Sequence, residues 1–242
     1  MATNSASVAL ITGAAGGVGR AAVARLRERG MRVVATDLAL AEIPCGAPMM
    51  AISLDVTDEA AIASVINRVQ VEYGRLDHVI HLAGLAGRGP LAKVSRDEWN
   101  QLLEVNLTSA FLLAKATHPM LCATRGSLTF AASTNGLNGG SALSGPAYAV
   151  AKAGLINFAR YLAKEWAADG IRVNCLAPGP INTAMVTGRF TPDVLRSLQD
   201  SVPLGTLGEP EHVAHAIDYL TSPSAAFVTG TVMNISGGVV LD

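Results

Sequence analysis

Short apolar runs that stop at glycine or at a polar residue alternate along this chain with longer stretches of helical periodicity. Residues 7–12 (Ser-Val-Ala-Leu-Ile-Thr) form the first run, continuous enough for a strand buried on both faces. The pattern returns at Arg32–Thr36, Ala51–Leu54, Val79–Leu82, Gly126–Ala131, Ile171–Leu176 and Val232–Ile235. Between these runs the apolar positions recur at helix spacing. Val23 and Leu26 lead to a stop at Gly30, and Ala61, Ile62, Val65, Ile66 and Val69 line one face over 58–73. Ser95-Arg-Asp-Glu98 has the capping-box pattern, and a single long helix carrying Trp99 through Leu112 is predicted after it. Further helices are expected from about Tyr148 through Leu162 and from Glu209 to Leu220. Seven strands alternating with helices predict an α/β fold: a parallel, doubly wound sheet with helices on both faces, as one domain over 1–242. Residues 181–203 show weak, mixed signals beside the Pro178-Gly179-Pro180 break, which suggests a lid.

Composition narrows the partners. Half of the residues are hydrophobic and 15% are charged, so the chain folds rather than staying disordered. A net charge of −1 and 5% aromatics, with no basic stripe, argue against nucleic acid and against an anionic membrane surface. No apolar run is long enough for a membrane span, and the first residues lack a signal-type pattern. The three cysteines (Cys45, Cys122, Cys175) are odd in number and scattered, so a reduced cytoplasmic protein without a metal site is expected.

The first strand opens into Thr12-Gly-Ala-Ala-Gly-Gly-Val-Gly19 and then a helix, the setting a dinucleotide-binding turn requires. Gly13 permits the tight turn, Gly17 lets the backbone approach a pyrophosphate, and Gly19 lets helix and strand pack closely. The helix N-terminus offers N–H groups to the phosphates. Asp37 ends the second strand, 18 residues past Gly19, where an acid grips the ribose hydroxyls. No Arg or Lys stands at Ala14, Ala15, Leu38 or Ala39, so NAD is favoured over NADP. Asp55 ends the third strand and either accepts from the adenine amino group or caps the next turn.

Tyr148 and Lys152 stand four apart on a helix and so act at one point. A cation beside a phenol favours the phenolate and brings its pKa towards neutrality. Taken alone the pair is unremarkable on any helix; its surroundings decide. Ser133 closes the fifth strand, at the carboxyl edge where open α/β sheets bind ligands. Asn106 stands mid-helix among apolar residues and either satisfies a neighbouring strand or anchors a water at a site. His212 and His215 lack a third ligand in step, and His118-Pro119 marks a bend. Arg88 and Arg189 lie in loops expected to frame the pocket and are candidates for an anionic substrate.

With these marks in order (TGAAGGVG at 12–19, Asp55, Ala83-Gly84, Asn106, Ser133, Tyr148-Ala-Val-Ala-Lys152 and Pro178-Gly179), the chain resembles the short-chain dehydrogenase/reductase family from Thr12 to Gly238. The resemblance implies a Rossmann-type fold and a catalytic tetrad of Asn106, Ser133, Tyr148 and Lys152. It implies coenzyme contacts from Gly13, Gly16, Gly17, Val18 and Gly19, from Asp37, Leu38, Asp55 and Val56, and from Ala83 and Gly84. Tyr148, Lys152, Pro178, Gly179, Ile181 and Thr183 complete that set, the last two facing the nicotinamide carboxamide. Ser133, Asn135, Tyr148 and Met185 are the expected substrate contacts. A homotetramer or homodimer is likewise implied. Two departures stand out: His81-Leu82 replaces the family's paired asparagines, and the Ser133–Tyr148 interval is long, leaving Ser141 and Ser144 as alternates to Ser133. The leading expectation is an NAD-dependent enzyme interconverting a secondary alcohol (sugar, polyol, hydroxy acid or cyclic alcohol) and a ketone. Its rivals are a 3-oxoacyl thioester reductase, which would favour NADPH, and a dinucleotide-sensing regulator without turnover.

Overall fold

The computed structural model describes residues 6–39 and 49–241; Cys45 lies outside the described residues. The strands are β1 (Val8–Thr12), β2 (Arg32–Asp37), β3 (Met49–Ser53), β4 (His78–His81), β5 (Ser127–Ala131), β6 (Arg172–Pro178) and β7 (Val232–Ile235). All pair in parallel in the order β3-β2-β1-β4-β5-β6-β7. The expected doubly wound sheet is therefore present. Its strand order reverses between β1 and β4, which opens a crevice at their carboxyl ends.

Alternation along the strands divides the core in two. Val8 and Leu10 of β1 join one cluster with α2 (Glu59–Tyr73), α4 (Ser109–Thr124) and α6 (Pro146–Glu165), through residues such as Ile62, Leu113 and Leu155. Ala9 and Ile11 point the other way, into a cluster with α1 (Gly17–Glu28) and α9 (Pro210–Leu220) that holds Val23, Leu26, Val213 and Ile217. Arg25 of α1 and Arg29, just past its end, clamp Asp218 of α9 at 2.8 and 2.7 Å, which closes the rim of this second layer.

Two helices depart from the periodic reading. The long helix after Ser95 is not continuous: α3 (Arg96–Leu103) passes through a π-turn at Glu104–Thr108 before α4 begins. The helix expected from Tyr148 starts two residues earlier, because Pro146 takes the first helical position behind Gly145 at φ 72°. Residues 181–203 are more ordered than expected, with two short helices, α7 (Ala184–Thr187) and α8 (Pro192–Asp200). Among the described residues no helix is long and apolar enough to cross a membrane.

Candidate active site

A cleft of about 360 Å³ opens over the carboxyl ends of β1, β4, β5 and β6. Its floor gathers Gly13, Gly16, Gly17, Val18, Gly19, Gly84, Asn106, Ser133, Asn135, Tyr148, Lys152, Pro178 and Gly179. Ile181, Thr183 and Met185 form part of its roof. Five expected residues, Asp37, Leu38, Asp55, Val56 and Ala83, do not line this cleft. Asp37 ends β2, beside the glycine turn, and Asp55 lies two residues past the end of β3.

Lys152 is the most constrained member. Its ammonium is buried, donates to the Ala131 carbonyl at 2.7 Å, and lies 5.6 Å from the centre of the Tyr148 ring. Burial depresses its pKa to about 8. Burial acts oppositely on the Tyr148 phenol, raising its pKa; the Ser133 hydroxyl and the Arg189 charge pull it back in part. The cation beside the ring thus does not bring the phenol to neutrality in this structure. The physical reason is that desolvation of the phenolate outweighs the Ser133 hydrogen bond and the Arg189 charge, while the Lys152 ammonium is committed to a carbonyl.

Ser133 is buried beside the phenol, and its Oγ accepts from the Asn135 N–H at 3.2 Å, so Asn135 reaches the site partly through its backbone. Gly136, in the short helix α5 (Asn135–Asn138), touches the α6 backbone at Lys152: a Cβ there would stand 2.6 Å from the Lys152 carbonyl carbon. Of the alternates, Ser144 donates its hydroxyl to the Ser141 carbonyl at 3.0 Å and accepts from the Ser141 N–H. Both serines line the cleft, but they are tied to one another in a turn, whereas Ser133 adjoins Tyr148.

Asn106 resolves the choice left by the sequence in an unexpected way. Its Nδ2 donates to Leu102 O, four residues back, and to Leu85 O in the loop after β4, both at 2.9 Å. By taking a carbonyl of its own helix it supports the π-turn on which it sits, a distortion frequent at functional sites. Its Oδ1 is buried without a partner among the described protein atoms. A side chain at Gly84 would come within 2.7 Å of that oxygen and 3.4 Å of Lys152 Nζ, so the glycine keeps both polar groups facing one open point. An orphaned acceptor and an ammonium converging beside a glycine turn fit a polar ligand there, as a coenzyme ribose and a bridging water require.

His81 answers the departure in the fourth-strand motif. The buried ring joins Thr12 Oγ1 to Nδ1 at 2.7 Å and Nε2 to Ser109 Oγ at 3.0 Å. Ser109 Oγ donates to Val105 O at 2.6 Å, so it accepts from the ring. The proton is accordingly assigned to Nε2, and Nδ1 accepts from Thr12. A single imidazole connects β1 to the π-turn of Asn106, in place of paired asparagines. Burial lowers its pKa to about 3, and Lys152 adds a smaller effect, which keeps it neutral.

At the adenosine end, Asp37 Oδ2 accepts from the Ala15 N–H at 3.0 Å and Oδ1 from the Ala39 N–H at 3.2 Å, holding the glycine turn. Asp55 accepts from the Thr57 hydroxyl and N–H, and these bonds lower its pKa. It thereby closes its own turn, while the next helix is capped by Asp58. Sequence reading missed Arg20: one turn into α1, it reaches back to the Ala15 carbonyl at 2.5 Å and places a cation on the turn where only neighbouring positions were considered. Among the other candidates, His212 Nδ1 accepts from the Glu209 N–H as part of a helix cap. His118 pairs with Asp169 at 2.9 Å and packs on Trp166. No cluster of metal-binding side chains occurs among the described residues.

Comparisons with known proteins place the chain in a family. A family model described as enoyl-(acyl carrier protein) reductase matches residues 13–240. The 3-oxoacyl-(acyl-carrier-protein) reductase FabG of Escherichia coli is 37% identical over 243 residues, with 97% of each chain covered. The chain belongs to the short-chain dehydrogenase/reductase family. Within the family, the cis-4-hydroxycyclohexanecarboxylate dehydrogenase of Sinomonas cyclohexanicum is 38% identical over 240 residues, covering 96% of this chain and 95% of its own. A solved structure titled as that of gox2181 superposes with a TM-score of 0.91 at 28% identity, over 97% of this chain and 95% of that one. This family membership makes the protein an oxidoreductase acting on a CH–OH group with a nicotinamide coenzyme.

Proposed function

We propose that this enzyme interconverts a secondary alcohol and a ketone with NAD, using Asn106, Ser133, Tyr148 and Lys152. The observation that carries the reading is the convergence of the Tyr148 phenol, the Lys152 ammonium and the orphaned Asn106 Oδ1 on one cleft floor. The glycine turn, Asp37, Asp55, Val56, Ala83, Gly84, Ile181 and Thr183 would hold the coenzyme, whose nicotinamide supplies the hydride acceptor when bound.

In the oxidation direction Tyr148 Oη removes the substrate hydroxyl proton. Ser133 Oγ donates a hydrogen bond to the same oxygen and stabilises charge as it develops there. Lys152, 5.6 Å from the Tyr148 ring, would lower the cost of forming the phenolate against the burial that raises the phenol pKa, and the oxidised coenzyme would supply further positive charge when bound. Asn106 Oδ1 holds a water that passes the proton from Lys152 towards solvent. The protein is read as one domain, cytoplasmic, and a homotetramer or homodimer.

A second reading, reduction of a 3-oxoacyl thioester, is favoured by the FabG relatives and by Arg20 on the glycine turn, which offers a charge to a 2′-phosphate. Asp37 opposes it. One assay decides: nicotinamide absorbance followed with NAD and NADP across cyclohexanol, sugar alcohols, 4-hydroxycyclohexanecarboxylate and a 3-oxoacyl thioester. Turnover of free alcohols with NAD supports the first reading. Turnover of the thioester alone, with NADPH, replaces it by the second. Coenzyme binding without turnover of any compound would sink both in favour of a sensing role.

A further inference from the structure

One cation of the cleft has a role above only through its charge, which lowers the Tyr148 pKa in part. Arg189, in the roof just past α7, reaches across to the loop after β4 and donates from Nη2 to the Gly87 carbonyl at 2.6 Å. Its guanidinium carbon lies 5.5 Å from the centre of the Phe190 ring. No Asp or Glu pairs with it among the described residues. The anchor places it close to the chemistry, since a Cβ on Gly87 would stand 3.5 Å from Tyr148 Cβ.

The lining sharpens the point. Lys152 and Arg189 are the charged residues among those described that line the cleft, and no acid balances them. Lys152 is committed to Ala131 O and the reacting end. A coenzyme pyrophosphate is met elsewhere, by the N–H groups of the glycine turn. Arg189 therefore has donors to spare on the substrate side. The rest of the lining is mainly apolar, with Leu143, Met185, Val186 and Leu198, and its other polar groups, such as Ser141, Ser144 and Ser201, are neutral. Both loop arginines are exposed, but Arg88 does not line the cleft, and its backbone packs on Gly145 instead.

We propose that Arg189 is a specificity residue that selects secondary alcohols and ketones bearing a carboxylate on an apolar body. The inference rests on the alcohol–ketone reading and adds the substrate's charge. A guanidinium presents a planar fork that matches a carboxylate. The apolar wall suits one small anion better than a strongly hydrated phosphate dianion. The Gly87 carbonyl occupies one donor of that fork.

The test compares kcat/KM for 4-hydroxycyclohexanecarboxylate and for its carboxamide, in the wild-type enzyme, in Arg189→Gln and in Arg189→Lys. The wild type prefers the carboxylate, and Arg189→Gln lowers the carboxylate-to-carboxamide ratio by about tenfold to a hundredfold, chiefly through KM. Arg189→Lys, which keeps the charge and loses the fork, falls between them. An unchanged ratio in Arg189→Gln, including equal losses for both compounds, would reduce Arg189 to a latch on Gly87 and overturn the proposal. A wild-type preference for the carboxamide would do the same. Turnover of neither compound nor of cyclohexanol, with either coenzyme, would instead remove the underlying reaction.

Discussion

The floor and the roof of the cleft are built on opposite plans. On the floor, Asn106, Ser133 and Lys152 are buried and hydrogen-bonded: Asn106 and Lys152 to the distant Leu85 O and Ala131 O, Ser133 to the nearby Asn135 N–H. In the roof, α7 and α8 contain no buried residue, and Met185 stands 45% exposed. Thr183 rests its methyl on the glycine turn, where a Cβ on Gly17 would come within 2.8 Å. The lesson is a division of labour. Proton transfer depends on sub-ångström placement, and in the proposed mechanism it falls where packing over-determines each side chain. Choice of substrate sits on a segment with few buried contacts, which can be altered or moved at small cost to stability.

Substitutions in the two regions test that division. The largest effect is expected from Lys152→Met on the floor, a fall in kcat of about a thousandfold read by steady-state kinetics, with the fold retained by circular dichroism. A comparable loss from Met185→Ala would erase the contrast. Asn106→Ala comes next. It leaves the Leu85 and Leu102 carbonyls without their donor and should lower stability by about 1–3 kcal/mol in denaturant titration, together with kcat by about tenfold.

His81 sharpens the comparison through pH. Its folded pKa of about 3 lies below the ordinary 6.5, so the unfolded chain binds a proton that the folded chain refuses. Its stabilising contribution is complete above about pH 6.5 and is lost as pH falls towards 3, by at most about 1.4 kcal/mol per pH unit. His78, held at about 4 by burial, behaves alike. His81→Leu should cost about 1–3 kcal/mol at neutral pH through the broken Thr12–Ser109 link. It should also flatten the acid limb of the stability curve by one proton; an unchanged slope would place the ring's titration elsewhere. The smallest effect belongs to the roof, where Met185→Ala should shift KM about threefold in the substrate panel, with kcat nearly kept, since it trims one half-exposed side chain.

Much of this was legible in the sequence, for reasons that also mark what was not. Buried parallel strands are apolar on both faces, so all seven were found, with ends off by one or two residues; β6, for instance, runs on to Pro178. Tyr148, Lys152, Ser133 and Gly13 were legible because each follows from local rules of turn, helix face or strand end. The π-turn at Asn106 was not, because periodicity cannot distinguish one inserted residue from a continuous helix. The two ends of the His81 relay lie 69 and 28 residues away, so no local pattern encodes it. Arg20 escaped for the same reason, and Arg189, though named with Arg88 as a loop candidate, could not be tied to Gly87 O, because both targets are set by how long side chains reach back or across. The start of α6 was readable from Gly145-Pro146 and was set too late by starting at the first catalytic residue.

The central claim is that the Tyr148 oxygen carries the proton on a floor that forms independently of it. Tyr148→Phe tests this most directly, with coenzyme affinity by fluorescence titration and alcohol oxidation measured on one preparation. The account predicts NAD affinity within about threefold of wild type and turnover lowered by at least about a thousandfold. A Tyr148→Phe enzyme that binds NAD and still oxidises the alcohol at a substantial fraction of the wild-type rate would contradict it.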